Sequence, residues 1–134
     1  MSYSNFFWRF ILSYLSIILM AIALLYLFKI EDLPNLNISI LGAVTYLCFY
    51  SYSQKNSKAV SGKEKWKLIF LAFFADLIVS FLFTLLALIN SEITIFVLIL
   101  SLLLVMPFHF LLIFILSFLV EKQMKKILMD ESSL

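Results

Sequence analysis

Four apolar runs divide this chain, at Phe6 to Phe28, Leu36 to Tyr52, Leu68 to Ile89 and Ile93 to Val120. Each is near or above the ~20 residues that an α-helix needs to cross the hydrocarbon of a bilayer. The second is the shortest and most polar. Inside a bilayer every backbone N–H and C=O must find its partner within the protein, which leaves helices and closed barrels. Runs this long, without apolar–polar alternation, favour helices over barrel strands. Composition agrees: 64% of the residues are hydrophobic, 13% are charged and 15 are Phe, more apolar surface than a soluble domain of 134 residues can cover. The expected fold is all-α, a polytopic membrane protein whose residues 1–134 form one transmembrane domain, a four-helix antiparallel bundle.

The connections are brief. "KIEDLPN" joins the first two helices and "NSE" the last two, so each pair must be antiparallel neighbours. The middle connection, residues 53–67, is longer and basic, and Ser61 with Gly62 marks a break before a new helix starts at about Lys63. A polar tail follows at 121–134, where Met124, Ile127, Leu128 and Leu134 leave a weak apolar stripe beside Lys125 and Lys126, consistent with a helix continuing past the bilayer. Of the ten Lys and Arg residues, Arg9, Lys55, Lys58, Lys63, Lys65, Lys67, Lys122, Lys125 and Lys126 fall on one side of a four-span bundle, and Lys29 stands alone opposite. Positive charge near helix ends is retained in the cytoplasm, so both termini are expected there. Phe6, Phe7, Trp8 and Trp66 then serve as interfacial anchors. The N-terminus, "MSYSNFFWRF", has neither a basic leader nor a small-residue cleavage site, and the first run is read as a retained span.

One carboxylate interrupts the third run. Asp76 lies nine residues beyond Lys67, roughly 13 Å into the span at 1.5 Å per residue. A charge at that depth costs several kcal/mol, so it must face the bundle interior, find a partner or be protonated. Ala72, Asp76, Ser80 and Thr84 recur every four residues and form a small, polar stripe, the kind of face on which another helix packs closely. The fourth run supplies the partner in "MPFHF". His109, the single histidine, lies eleven residues before Val120 and so at about the depth of Asp76. Pro107 removes one helical hydrogen bond, frees the carbonyl of Leu103 and predicts a kink beside the histidine. The pair reads either as a structural lock on helix register or as a proton-responsive or ion-coordinating site, since a carboxylate and an imidazole in low dielectric exchange charge as pH changes.

The first helix carries Arg9, Ser13, Ser16, Met20 and Ala23 at spacings of three and four. Arg9 is near enough to the interface to snorkel. Ser39, Gly42, Tyr46 and Phe49 line one side of the second helix, where Gly42 permits close approach. Ser13, Ser16, Gly42, Ser80 and Thr84 are the expected helix-packing positions. No catalytic constellation is visible. One Cys and one His cannot supply a metal site of known spacing, and two glycines cannot build a phosphate-cradling loop. Ser101 and Ser117 bracket His109, but serines in membrane helices usually bond to the preceding turn. Neither metal nor cofactor is expected. Nucleic acid is a poor partner, because no fold-forming segment carries the charge. The eight lysines of the middle loop and tail form a basic surface suited to lipid headgroups or a cytosolic protein.

The opening "FFWRFILSYL", the second run "LGAVTYLCF" and the loop "SGKEKWKL" resemble a family of small uncharacterised four-helix inner-membrane proteins of Gram-negative bacteria. The resemblance implies the fold, the topology and a bacterial inner-membrane location, and no activity. Two functions are expected from the residues. The first is a non-catalytic membrane protein acting by contact, as an immunity, accessory or regulatory subunit bound to a protein partner or to copies of itself. The alternative is a small oligomeric transporter or channel in which Asp76 and His109 carry protons or ions.

Overall fold

The computed structural model describes residues 1–30, 36–90, 92 and 94–132. Its elements are four helices, α1 (Tyr3–Leu27), α2 (Leu36–Lys55), α3 (Gly62–Asn90) and α4 (Ile95–Ser132), with no strand among the described residues. Three of them, α1, α3 and α4, are long and apolar enough to cross a membrane. By contrast α2, at 20 residues, interleaves Ser, Thr, Tyr and Gln with its aliphatic positions.

The helix ends follow local chemistry. Ser2 caps α1, its hydroxyl accepting from the amide of Asn5 at 3.2 Å. The far end of α1 closes when the Ile30 amide reaches the Leu25 carbonyl, with Lys29 in the left-handed region at φ 54°. The end of α2 repeats this geometry: Lys58 donates to the Ser53 carbonyl and Ser57 takes φ 51°. Both are Schellman closures, which satisfy carbonyls that the helix leaves open. Gly62, at φ 63°, turns the chain into α3, a conformation that a side chain would strain.

At two places the helices extend beyond the apolar runs. The basic connection expected at 53–67 shrinks to 56–61, because α2 continues to Lys55 and α3 begins at Gly62. The polar tail at 121–134 is helical through Ser132, as its apolar stripe led us to expect, in one piece with the membrane-length part of α4. The reason is the same in both places. Hydropathy marks where a helix can sit in lipid, whereas backbone hydrogen bonding continues through polar residues of good helix propensity such as Glu, Lys, Gln and Met. Residues 31–35 of the expected first connection, residue 91 of the second, Ile93 at the expected start of the fourth run and residues 133–134 of the tail lie outside the described residues.

The helices form a ring in the order α1, α2, α4, α3. Phe6 meets Phe49 and Tyr52, so α1 and α2 are antiparallel; Trp66 meets Phe114 and Phe73 meets Phe110, so α3 and α4 are too. The 56–61 loop therefore spans a diagonal, from α2 to α3. It also holds the chain start, since the Met1 ammonium donates to the Asn56 side-chain oxygen at 2.5 Å.

The core is confined to one half of the bundle. Buried positions run from Phe6 to Tyr14 on α1, Ile40 to Ser53 on α2, Lys65 to Val79 on α3 and Met106 to Met124 on α4. No described residue of 15–30, 80–90 or 94–105 is buried. The packed half is the end that carries the 56–61 loop, the chain start and most of the lysines, and it is called the basic end below.

Candidate functional site

At the inner limit of this core, three helices converge on one carboxylate. Asp76 is fully enclosed and His109 is 2% exposed. Nδ1 of His109, on α4, lies 2.7 Å from Asp76 Oδ2. Ser80, one turn along α3, points its hydroxyl at Oδ1 from 3.4 Å. From α1, the Tyr14 hydroxyl also bonds to the Asp76 side chain. An ionised carboxylate is acceptor-only, and here an imidazole N–H and two hydroxyls supply donors. The opposite ring nitrogen, His109 Nε2, is buried without a partner among the described residues, as is Oγ1 of Thr45 on α2.

The local sequence explains the approach of the helices. Ala72 and Ala75 are fully buried on α3, and their small side chains bring its backbone close to its neighbours around Asp76. Thr84 extends the same stripe but returns its hydroxyl to the Ser80 carbonyl at 2.7 Å. Pro107 is exposed and sits inside α4, which remains helical on either side of it. Ser101 and Ser117 bond to the carbonyls of Val97 and Phe114. Neither hydroxyl bonds to the pair.

Tyr14 is the member that the sequence reading missed. Its signal was the spacing Phe6, Phe10, Tyr14, the face that α1 buries. The Ser13–Ser16 stripe, expected to pack, lies elsewhere: Ser13 is half-buried and Ser16 is exposed. Aromatic side chains filling the space between helices, rather than small residues drawing backbones together, position α1. Gly42 does face α4, yet a Cβ built on it would lie 3.8 Å from Leu116 and 3.9 Å from Leu112, ordinary contact distances. Close approach there does not depend on glycine.

The lysines divide into two groups. Lys65, expected on the basic surface, is 6% exposed and bonds to Glu121 at 2.7 Å, with its ammonium 3.3 Å from the centre of the Phe118 ring. It joins α3 to α4. Lys58 pairs with Glu64 at 2.9 Å and Lys125 with Glu121 at 2.8 Å, while Lys67 stands over the Tyr3 ring at 5.5 Å. Lys55, Lys63, Lys122 and Lys126 are exposed and make no ion pair among the described residues. The sequence reading counted Lys65 with the surface because five lysines within thirteen residues hide which one turns inward.

Chemically, the Tyr14–Asp76–His109 cluster can hold or exchange a proton and can lock three helices in register. For a metal ion it offers one carboxylate and one imidazole already bonded to each other, and no group of three His, Cys, Asp or Glu side chains occurs among the described residues. No protein-family model, curated protein or solved structure matches this chain.

Proposed function

We propose that this chain is a non-catalytic membrane protein that works by contact, as an accessory, immunity or regulatory subunit. In this reading α2 is a fourth span, the basic end is cytoplasmic, and the membrane is the inner membrane of a bacterium. The observation that carries it is the enclosure of the polar cluster: Asp76 is fully buried and bonded to groups of its own bundle on α1, α3 and α4. A side chain occupied in this way fixes helices rather than meeting a substrate. Contact has two places to act. The half of the bundle away from the basic end leaves α1 and α4 without buried residues, open to another helix or a second copy, and Lys55, Lys63, Lys122 and Lys126 project where a cytosolic protein would dock.

One observation favours a second reading. His109 Nε2 is buried and bonds to no described residue, so this nitrogen is free to pass a proton onward. On that reading the protein is a small, oligomeric proton- or ion-coupled transporter or channel. Flux into proteoliposomes separates the two. Contact alone requires proton entry equal to that of protein-free vesicles, for the wild type and for Asp76→Asn alike. Proton or ion entry that disappears in Asp76→Asn at equal incorporation contradicts the contact reading. Co-purification followed by mass spectrometry then identifies the partner.

A further inference from the structure

A second polar site lies on the outside of the bundle, between α1 and α2. A groove of about 300 Å³ opens there, lined by Arg9 and Ser13 from α1 and by Cys48 and Ser51 from α2, with Phe6 and Leu47 as its apolar walls. No carboxylate lines it. Arg9 makes no hydrogen bond or ion pair among the described residues, and neither do Ser13 and Ser51. This sets the two serines apart from Ser80, Ser101 and Ser117, whose hydroxyls bond within their own helix. Asp76, the one acid deep in α3, is enclosed and engaged by Tyr14 and His109.

A guanidinium on a membrane-length helix needs a counter-charge or water. This one stands six residues, about 9 Å, past the start of α1. So near the end of an apolar helix, the long Arg side chain can reach an interfacial headgroup. Arg presents a planar fork of N–H donors that matches phosphate oxygens two at a time. Two unengaged hydroxyls in the same groove add donors, and the adjoining surface is aliphatic, with Leu12 at 60% and Leu47 at 56% exposure. Charge complementarity and the apolar flank together select an amphiphile.

We propose that the α1–α2 groove binds one anionic phospholipid, its phosphate held by Arg9, Ser13 and Ser51 and an acyl chain lying along Leu47 and Leu12. The site is distinct from the Tyr14–Asp76–His109 cluster and holds whether or not the protein acts by contact. The test is native mass spectrometry of the full chain released from detergent containing equal amounts of phosphatidylglycerol and phosphatidylcholine, with inorganic phosphate added in a parallel sample. The wild type should retain one phosphatidylglycerol in preference to phosphatidylcholine. Arg9→Gln should weaken that preference at least about fivefold, the factor one basic side chain near an anionic surface contributes. Lys29→Gln, just past the opposite end of α1, removes a cation remote from the groove and should leave it unchanged. Ser13→Leu, which fills the groove without altering charge, should abolish it and covers the case in which Arg9→Gln does not fold. Equal retention of the two lipids, or an unchanged preference in either groove variant, overturns the proposal. So does a phosphate adduct that displaces phosphatidylglycerol, since the groove would then be a site for free phosphate.

Discussion

Removing His109 should cost this protein more than removing Asp76, although the two share one hydrogen bond. His109→Ala leaves a fully buried carboxylate with the Tyr14 and Ser80 hydroxyls as its remaining donors. Leaving a buried carboxyl group short of a hydrogen-bond partner costs about 3 kcal/mol, the upper end for an unsatisfied buried polar group. Asp76→Ala leaves His109 without the partner of its Nδ1. Its cost is that of an interhelical hydrogen bond in a membrane, about 1–2 kcal/mol. The double variant should then lie below the sum of the two by about 1–2 kcal/mol, since the carboxyl group stranded by the first change is removed by the second. Reversible unfolding in mixed micelles, followed by tryptophan fluorescence and helical circular dichroism, measures all four corners of the cycle. Additivity within about 0.5 kcal/mol would show the side chains to be uncoupled. A larger loss for Asp76→Ala than for His109→Ala would refute this reasoning while leaving the contact itself in place.

Four further outcomes are expected. Tyr14→Phe removes only the hydroxyl that reaches Asp76 and should cost about 0.5–1.5 kcal/mol, which the same unfolding assay reads; no loss would take Tyr14 out of the cluster. Gly42→Ala should be neutral or slightly stabilising, because a Cβ there meets Leu116 and Leu112 at 3.8 Å and 3.9 Å, whereas Gly42→Leu should separate α2 from α4 and lower folded yield. Lys65→Met should destabilise by about 1–3 kcal/mol by stripping the buried pair with Glu121, and combining it with Glu121→Gln should recover part of that; a neutral Lys65→Met would place the ammonium in solvent. For orientation, a cysteine at Ser57 in a Cys48→Ala background should resist an impermeant thiol reagent in whole cells while one at Glu92 should label, and the opposite pattern inverts the bundle.

Which parts of this molecule could be read from its residues follows from how many residues compete for each role. One carboxylate and one histidine interrupt the apolar runs at matching depths in antiparallel helices, so the structure offered few other arrangements and does bond them. Tyr14 was illegible because tyrosines serve equally at interfaces and in cores; only its place in the series Phe6, Phe10, Tyr14 marks it as inward. Small residues on α1 drew attention for the reason that Ala72 and Ala75 on α3 justify it, yet on α1 the aromatic face packs instead. Lys65 was hidden among like charges, and its signature lies fifty-six residues away in Glu121. The helix start near Lys63 and the helical continuation of the tail were legible from Ser61–Gly62 and from the stripe Met124, Ile127 and Leu128, and the structure begins α3 at Gly62 and carries α4 to Ser132.

The placement of the polar cluster at the inner limit of the core has a physical basis. In lipid, apolar helices gain little from hydrophobicity on meeting one another, so they stay together only where close packing, hydrogen bonds or charge give them cause. At the basic end all three are present: stacked aromatics such as Tyr3 on Tyr52, the Lys65–Glu121 bridge, and the tied chain start. Beyond Tyr14, Val79 and Met106 the helices present mostly Leu, Ile and Phe, and no described residue there is buried. Tyr14, Asp76 and His109 thus form the last layer in which α1, α3 and α4 have a specific reason to touch. Loosening that layer should therefore release more than one hydrogen bond. Without it the nearest restraint joining α3 to α4 is the Lys65–Glu121 bridge, eleven residues or about 16 Å toward the basic end along α3, and the intervening turns would hold by packing alone. Hydrogen exchange across α3 reads this directly: in Asp76→Ala, protection should fall from Ala72 to Ser80 while Lys65 to Ile69 stays protected. Uniform loss along the helix would instead make the bundle a single cooperative unit, with no layer more decisive than another.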